Sequence, residues 1–160
     1  MKVLVVDIAK CTGCRACEYA CSFVHSNEFN PLNSNIHISE FLDSFTFIPQ
    51  VCTQCNEAYC QKVCPTKALK RNSQTGVVEL NYYLCIGCKQ CVLACPWGSI
   101  KMTADGTRVI KCDHCGGDPE CVKVCHAGAI EYKEIEDMVF DKQLKTATIY
   151  KSFIENGGQI

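Results

Sequence analysis

The apolar positions of this chain come in short, broken runs, none approaching the roughly 18 residues of a membrane span. Residues 2–6, Lys-Val-Leu-Val-Val, are rich in β-branched side chains and predict a short strand. Ile36-His37-Ile38-Ser39-Glu40-Phe41 and Phe45-Thr46-Phe47-Ile48 alternate with a period of two, so they predict a half-buried hairpin turning at Leu42-Asp43-Ser44. A second hairpin is expected where Ala68-Leu69-Lys70-Arg71 and Val77-Val78-Glu79-Leu80 flank the turn-forming Asn72-Ser73-Gln74-Thr75-Gly76. The plan returns in Ile100-Lys101-Met102-Thr103, a turn through Ala104-Asp105-Gly106, and Arg108-Val109-Ile110-Lys111. Ala129-Ile130-Glu131-Tyr132 reads as a final strand, a partner for residues 2–6. Residues 15–24, 57–63 and 89–94 leave room for one or two helical turns each. This recurrence of loop, short helix and hairpin strand signals internal duplication in an α+β chain about one domain long.

The last segment follows a different period. Ile135, Met138 and Val139, and later Tyr150, Phe153 and Ile154, stand at i, i+3, i+4 spacing, which predicts an amphipathic helix ended by Gly157-Gly158. Such a helix packs on its own domain, docks on another subunit, or frays; the pattern leaves all three open.

Composition changes the picture more than periodicity does. Sixteen of the 160 residues are cysteine, in four groups: Cys11/Cys14/Cys17/Cys21, Cys52/Cys55/Cys60/Cys64, Cys85/Cys88/Cys91/Cys95 and Cys112/Cys115/Cys121/Cys125. The first and third follow C-x2-C-x2-C-x3-C, and the second and fourth widen only the middle gap, to four and five residues. Pro65 and Pro96 follow the last cysteine of the second and third groups. This is the ligand run of bacterial-type ferredoxins, in which three close thiolates bind one [4Fe-4S] cluster and the fourth reaches a neighbouring one. Four runs supply four clusters with no cysteine left over.

Competing uses of cysteine fit less well. A disulfide-stapled secreted domain is the usual meaning of so much cysteine. Here the N-terminal Met1-Lys2-Val3-Leu4-Val5-Val6-Asp7 has one basic residue and too short an apolar run for a signal peptide. Disulfide frameworks also have no use for three thiols within seven residues. Zinc sites separate two C-x2-C pairs by a dozen or more residues, whereas each group here is compact and ends in C-x3-C. The net charge of −1 counts thiols as neutral, and no basic block is present to neutralise phosphates, so a nucleic-acid partner is not expected. A soluble, reduced, cytoplasmic protein without direct membrane insertion is the expectation.

Several neighbours of the ligand runs bear on their chemistry. Gly13 and Gly87 lie inside the first C-x2-C of their loops, where glycine lets backbone N–H groups approach cluster sulfurs. His126 stands where the second and third groups have proline, either as an extra donor or as a plain loop substitution. His114 lies between Cys112 and Cys115, but the cysteine complement is already complete without it. Lys10 and Lys111 each precede a first ligand, where a cation would ease cluster reduction unless it is simply solvated. Tyr19, Phe23 and Trp97 sit beside ligands as candidate shields against water. No acid/base pair, activated nucleophile or phosphate-binding glycine loop is evident, so a catalytic site is not expected.

All four runs, in this order, resemble the four-cluster ferredoxin-like iron–sulfur subunits of molybdenum and tungsten enzymes, the group of the electron-transfer subunit of dimethyl sulfoxide reductase. The resemblance covers residues 2–132. The segment Cys112-Asp113-His114-Cys115-Gly116-Gly117-Asp118-Pro119-Glu120-Cys121 looks most like the small subunit of tungsten aldehyde:ferredoxin oxidoreductases. Similar subunits serve formate dehydrogenases, hydrogenases, carbon monoxide dehydrogenase and a benzoyl-CoA reductase.

The resemblance implies swapped ligation. Cys11, Cys14 and Cys17 would share a cluster with Cys125, and Cys112, Cys115 and Cys121 one with Cys21. Cys52, Cys55 and Cys60 would pair with Cys95, and Cys85, Cys88 and Cys91 with Cys64. The implied fold is ferredoxin-like: two nested pseudo-symmetric 2[4Fe-4S] units over residues 1–132. The inner pair spans 52–100, the outer pair comes from 1–25 and 108–132, residues 26–51 form an insertion, and 133–160 form a helical tail. The implied function is non-catalytic electron relay between a tungsten or molybdenum subunit, an aldehyde oxidoreductase in the narrower match, and a ferredoxin, flavoprotein or further subunit. A structural module that self-assembles through the tail, and a free-standing polyferredoxin, are the alternatives.

Overall fold

The computed structural model describes residues 2–156. Its strands are β1 (Lys2–Val6), β2 (His37–Phe41), β3 (Thr46–Gln50), β4 (Leu69–Arg71), β5 (Val78–Leu80), β6 (Ile100–Met102), β7 (Val109–Lys111) and β8 (Ile130–Glu134). The helices are α1 (Ala16–Ser26), α2 (Tyr59–Lys62), α3 (Gln90–Ala94), α4 (Glu120–Lys123) and α5 (Ile135–Glu155). Among the described residues the strands pair only two by two, all antiparallel: β2 with β3, β4 with β5, β6 with β7, and β1 with β8.

Three of these pairs are local hairpins, held by the turn chemistry of their connections. In the β6–β7 turn, Asp105 accepts from the Thr107 N–H at 3.1 Å and its Oγ1 at 2.8 Å, and these bonds together with Thr103 bring the carboxyl down to about 2. The fourth pair is not local. Leu4 lies opposite Tyr132 and Val6 opposite Ile130, which closes the chain around its middle.

Two apolar clusters lie behind the sheets, and thiols belong to both. One gathers Cys17, Cys21, Ile36, Ile38, Cys121 and Ile130, and the other Ala58, Leu69, Val78, Cys91, Ile100 and Val109. α1 packs on α4 and α2 on α3, so helices from different cysteine groups meet face to face. The 26–51 segment returns to the first cluster through Ile36 and Ile38.

α1 runs eleven residues, longer than the one or two turns expected. Past Cys21 the Ser22 and Ser26 hydroxyls bond back to the Tyr19 and Ser22 carbonyls, and the helix stops where Asn27 turns left-handed at φ 55°. β8 extends through Glu134 and passes directly into α5, so its last two residues fall within the segment read as tail. α5 is the expected helix. None of its residues is buried, and its first turns are tied to β8 by Lys133 and Asp141 at 2.8 Å. The proposed stop at Gly157-Gly158 lies outside the described residues. Among the described residues no helix is long and apolar enough to cross a membrane.

Candidate metal centre

All four cysteine loops share one backbone device. The second residue after the first cysteine has positive φ in each: Gly13 at 70°, Gln54 at 49°, Gly87 at 67° and His114 at 58°. At Gly13 the turn also excludes a side chain, because a Cβ would lie 2.5 Å from the Phe47 ring. The other two loops hold the same turn with residues that resist it, Gln54 and His114, both buried. In the first and third loops Arg15 and Lys89 add a second left-handed residue and cap α1 and α3.

Tertiary folding then joins different groups. Cys52, Cys55, Cys60 and Cys95 line one cavity, along with Pro96, Trp97 and Lys111. Cys11, Cys14, Cys17 and Cys125 line a second. Cys21, Cys112, Cys115 and Cys121 line a third, with His25, Asn35 and His114 in its wall. The remaining four gather less tightly. Cys64 and Cys85 pack around buried Cys91, and Cys88 is exposed.

The electrostatics of these cavities suit a bound cationic group. Burial pushes the thiols up, Cys17 and Cys121 to about 12 and Cys91 to about 11, with neighbouring thiolates adding to the rise. Cys112 is raised for the same reason. Four thiolates in so small a space repel one another, and iron removes that penalty. Donors are already aimed at sulfur: Asn35 N–H lies 3.2 Å from Cys21 Sγ, and Ala129 N–H lies 3.2 Å from Cys125 Sγ. For Cys21, burial is outweighed by hydrogen bonds from His25, Asn35 and Ser34, and its thiol is lowered. His114 carries the most direct sign of fit. Its Nδ1 meets the Tyr132 hydroxyl at 3.4 Å, while its buried Nε2, in the wall of the third cavity, has no partner in the protein. Burial and the Lys111 charge lower this ring to about 4, so it is neutral and free to offer an N–H to sulfur.

Other residues singled out from the sequence divide. Lys111 is 4% exposed, whereas Lys10 is at the surface near Asp7 and Glu131. His126 is exposed, as a plain loop substitution would be. Trp97 borders the first cavity though 61% exposed; Tyr19 and Phe23 are also largely exposed, with Phe23 stacked on Phe29 at 4.7 Å.

Three participants escaped the sequence reading. His25, one helical turn past Cys21, is raised to about 10 by hydrogen bonds to the Cys115 and Cys21 thiolates. Gln54 and buried Glu18 are the others. Aligning the four loops on their first cysteine would have flagged Gln54 and His114, which occupy the glycine position; no comparable signal marks His25 or Glu18.

Residues 44–135 match the family described as 4Fe-4S dicluster domain, and residues 10–68 match a second family of that description. The chain is a ferredoxin-like 4Fe-4S dicluster protein. It is 42% identical over 123 residues to the polyferredoxin-like subunit of the aliphatic sulfonate oxidoreductase of Pyrococcus furiosus, covering 77% of this chain and 70% of that one. It is 31% identical over 153 residues to the probable anaerobic dimethyl sulfoxide reductase chain YnfG of Escherichia coli, covering 83% of this chain and 73% of that one. Among solved structures, the dicluster protein resembles a chain of the active site complex BamBC of benzoyl coenzyme A reductase as isolated. The TM-score is 0.51 at 25% identity, over 99% of this chain and 92% of that one.

Proposed function

We propose that this ferredoxin-like chain is the electron-transfer subunit of an oxidoreductase complex and carries four [4Fe-4S] clusters. The ligand sets are Cys11/Cys14/Cys17/Cys125, Cys21/Cys112/Cys115/Cys121, Cys52/Cys55/Cys60/Cys95 and Cys64/Cys85/Cys88/Cys91. The observation that carries this reading is that three cavities are each lined by four cysteines, three from one run and one from another. Swapped sets of this kind make two nested two-cluster units of residues 1–132, inner (52–100) and outer (1–25 with 108–132). Each cluster then has a neighbour through a shared run, the arrangement electron hopping requires. In this reading the chemistry belongs to a partner, and the chain relays its electrons.

The partner in this reading is a cytoplasmic tungsten or molybdenum subunit, an aldehyde oxidoreductase by the likeness of residues 112–121. Electrons pass from it to a ferredoxin, flavoprotein or further subunit. Support comes from the relatives, which are named as subunits of oxidoreductases. Anaerobically purified protein is expected to contain about sixteen iron and sixteen acid-labile sulfide per chain, and to co-purify with a large metalloenzyme. Zinc in place of iron overturns the cluster reading; full iron without a metalloenzyme favours a free-standing polyferredoxin.

α5 supports a second reading of the tail. Val139, Tyr150, Phe153 and Ile154 share one side of the helix and are between 47% and 54% exposed, an apolar surface suited to another subunit or a second copy. Truncation after Glu134 is expected to reduce the size of the assembly while leaving iron content intact. An unchanged assembly removes that role from the tail.

A further inference from the structure

Lys111 ends β7 with its side chain almost wholly inside the protein. Its ammonium uses all three N–H groups, donating to the Val78 carbonyl at 2.7 Å, the Cys112 carbonyl at 2.8 Å and Gln54 Oε1 at 3.1 Å. All three acceptors are neutral. A buried charge held only by neutral acceptors is costly unless an opposite charge lies close by. The opposite charges available here are sulfurs. Lys111 lines the cavity of Cys52, Cys55, Cys60 and Cys95, and it precedes Cys112 of the neighbouring set.

Gln54 gives an independent sign that this placement is built. It holds the left-handed turn where two sister loops have glycine, a conformation that disfavours any residue with a Cβ. Its side chain nevertheless makes three hydrogen bonds. Nε2 donates to the Cys112 carbonyl at 2.9 Å, and Oε1 accepts from the Val78 N–H at 3.0 Å as well as from Lys111. A glycine would relieve the turn and leave the ammonium unbraced.

We propose that Lys111, braced by Gln54, is the internal counter-cation of the cluster in the Cys52/Cys55/Cys60/Cys95 cavity and raises its reduction potential. The assignment rests on the iron–sulfur reading above. Reduction there adds one electron and one negative charge, with no bond made or broken and no proton taken up. The electron comes from a one-electron donor, dithionite in the test and the metal subunit in the proposed complex. A fixed positive charge inside the protein favours that added charge, and salt barely screens it.

The test is a potentiometric titration of the whole holoprotein followed by electron paramagnetic resonance. The signal to follow is the one that Cys60→Ser alters. Lys111→Gln is expected to lower the reduction equilibrium of that cluster at least tenfold, 59 mV for one electron, with the shift retained in 1 M salt. Gln54→Glu keeps Lys111 but sets a carboxylate against it, and is expected to move the same signal the same way. Lys10→Gln, at the equivalent position but exposed, is expected to move nothing. If Lys111→Gln fails to retain iron, Gln54→Glu decides. Full iron with that potential unmoved in Gln54→Glu or Lys111→Gln overturns the assignment alone; no iron in the unaltered protein overturns it together with the cluster reading.

Discussion

The cavities of the Cys11 and Cys52 sets are built from the same loop and dressed with opposite charge. Beside the first, Glu18 follows Cys17 directly and is fully buried. Its Oε1 accepts from the Ile38 N–H at 2.8 Å and lies 3.1 Å from His37 Nδ1, while Arg15 Nε stands 3.8 Å from Oε2. Its charge adds to the burial that holds the Cys17 thiol up. The Cys52 cavity instead has the Lys111 ammonium in its wall. In the proposed reading, the ligand run decides what is bound and the residues behind the run decide how readily it takes an electron. Glu18 and Lys111 each reach their place through a different partner element, β2 for one and β5 for the other.

The contrast is most severely tested by removing iron. Chelation of the reduced protein is expected to abolish most of its ordered circular dichroism, because both core clusters include thiols that iron would hold together. Survival of either half would show that its charge dressing is incidental to folding. Next in size, Gly13→Ala is expected to cost about 2–5 kcal/mol in denaturant unfolding, combining left-handed strain with the clash against Phe47. Gly87→Ala, whose nearest contact is the Thr107 carbonyl at 3.7 Å, should show the strain alone, about 1–2 kcal/mol.

Glu18→Gln sharpens the difference directly. It removes a buried anion while keeping the Ile38 bond, and is expected to raise the reduction equilibrium of the Cys11-set cluster several-fold, opposite in sign to Lys111→Gln. Redox titration of the double variant should bring the two sites closer together than in the native chain. The smallest effect is expected for Lys123→Gln, whose ion pairs with Asp118 and Glu120 are exposed and screened. No potential should move, and any change seen there sets the noise of the measurement.

Much of the framework was legible in advance, for reasons that are local. Hairpins announced themselves through alternation and turn residues, β1 through its β-branched content, and β8 as a final strand expected to pair with it. The helices α1, α2 and α3 were foreseen in place and α4 was not; α1 runs longer than expected, to the left-handed Asn27. The burial of Lys111 was not legible. A lysine before a cysteine looks the same at Lys10, and only the packing of β7 beneath β5 separates the exposed one from the buried one. His25 was hidden for a similar reason: its partner Cys115 is 90 residues away along the chain.

The order of residues alone determined that sixteen thiols would be presented on four tight loops, because ligand spacing and left-handed turns are matters of a few neighbouring bonds. Which loop lends its fourth cysteine to which cavity, and whether an ammonium or a carboxylate waits behind the wall, was decided by the pairing of β1 with β8 and the docking of helices from different groups. Charge acts through space rather than along the chain, so its placement becomes readable only once the fold has brought distant segments together.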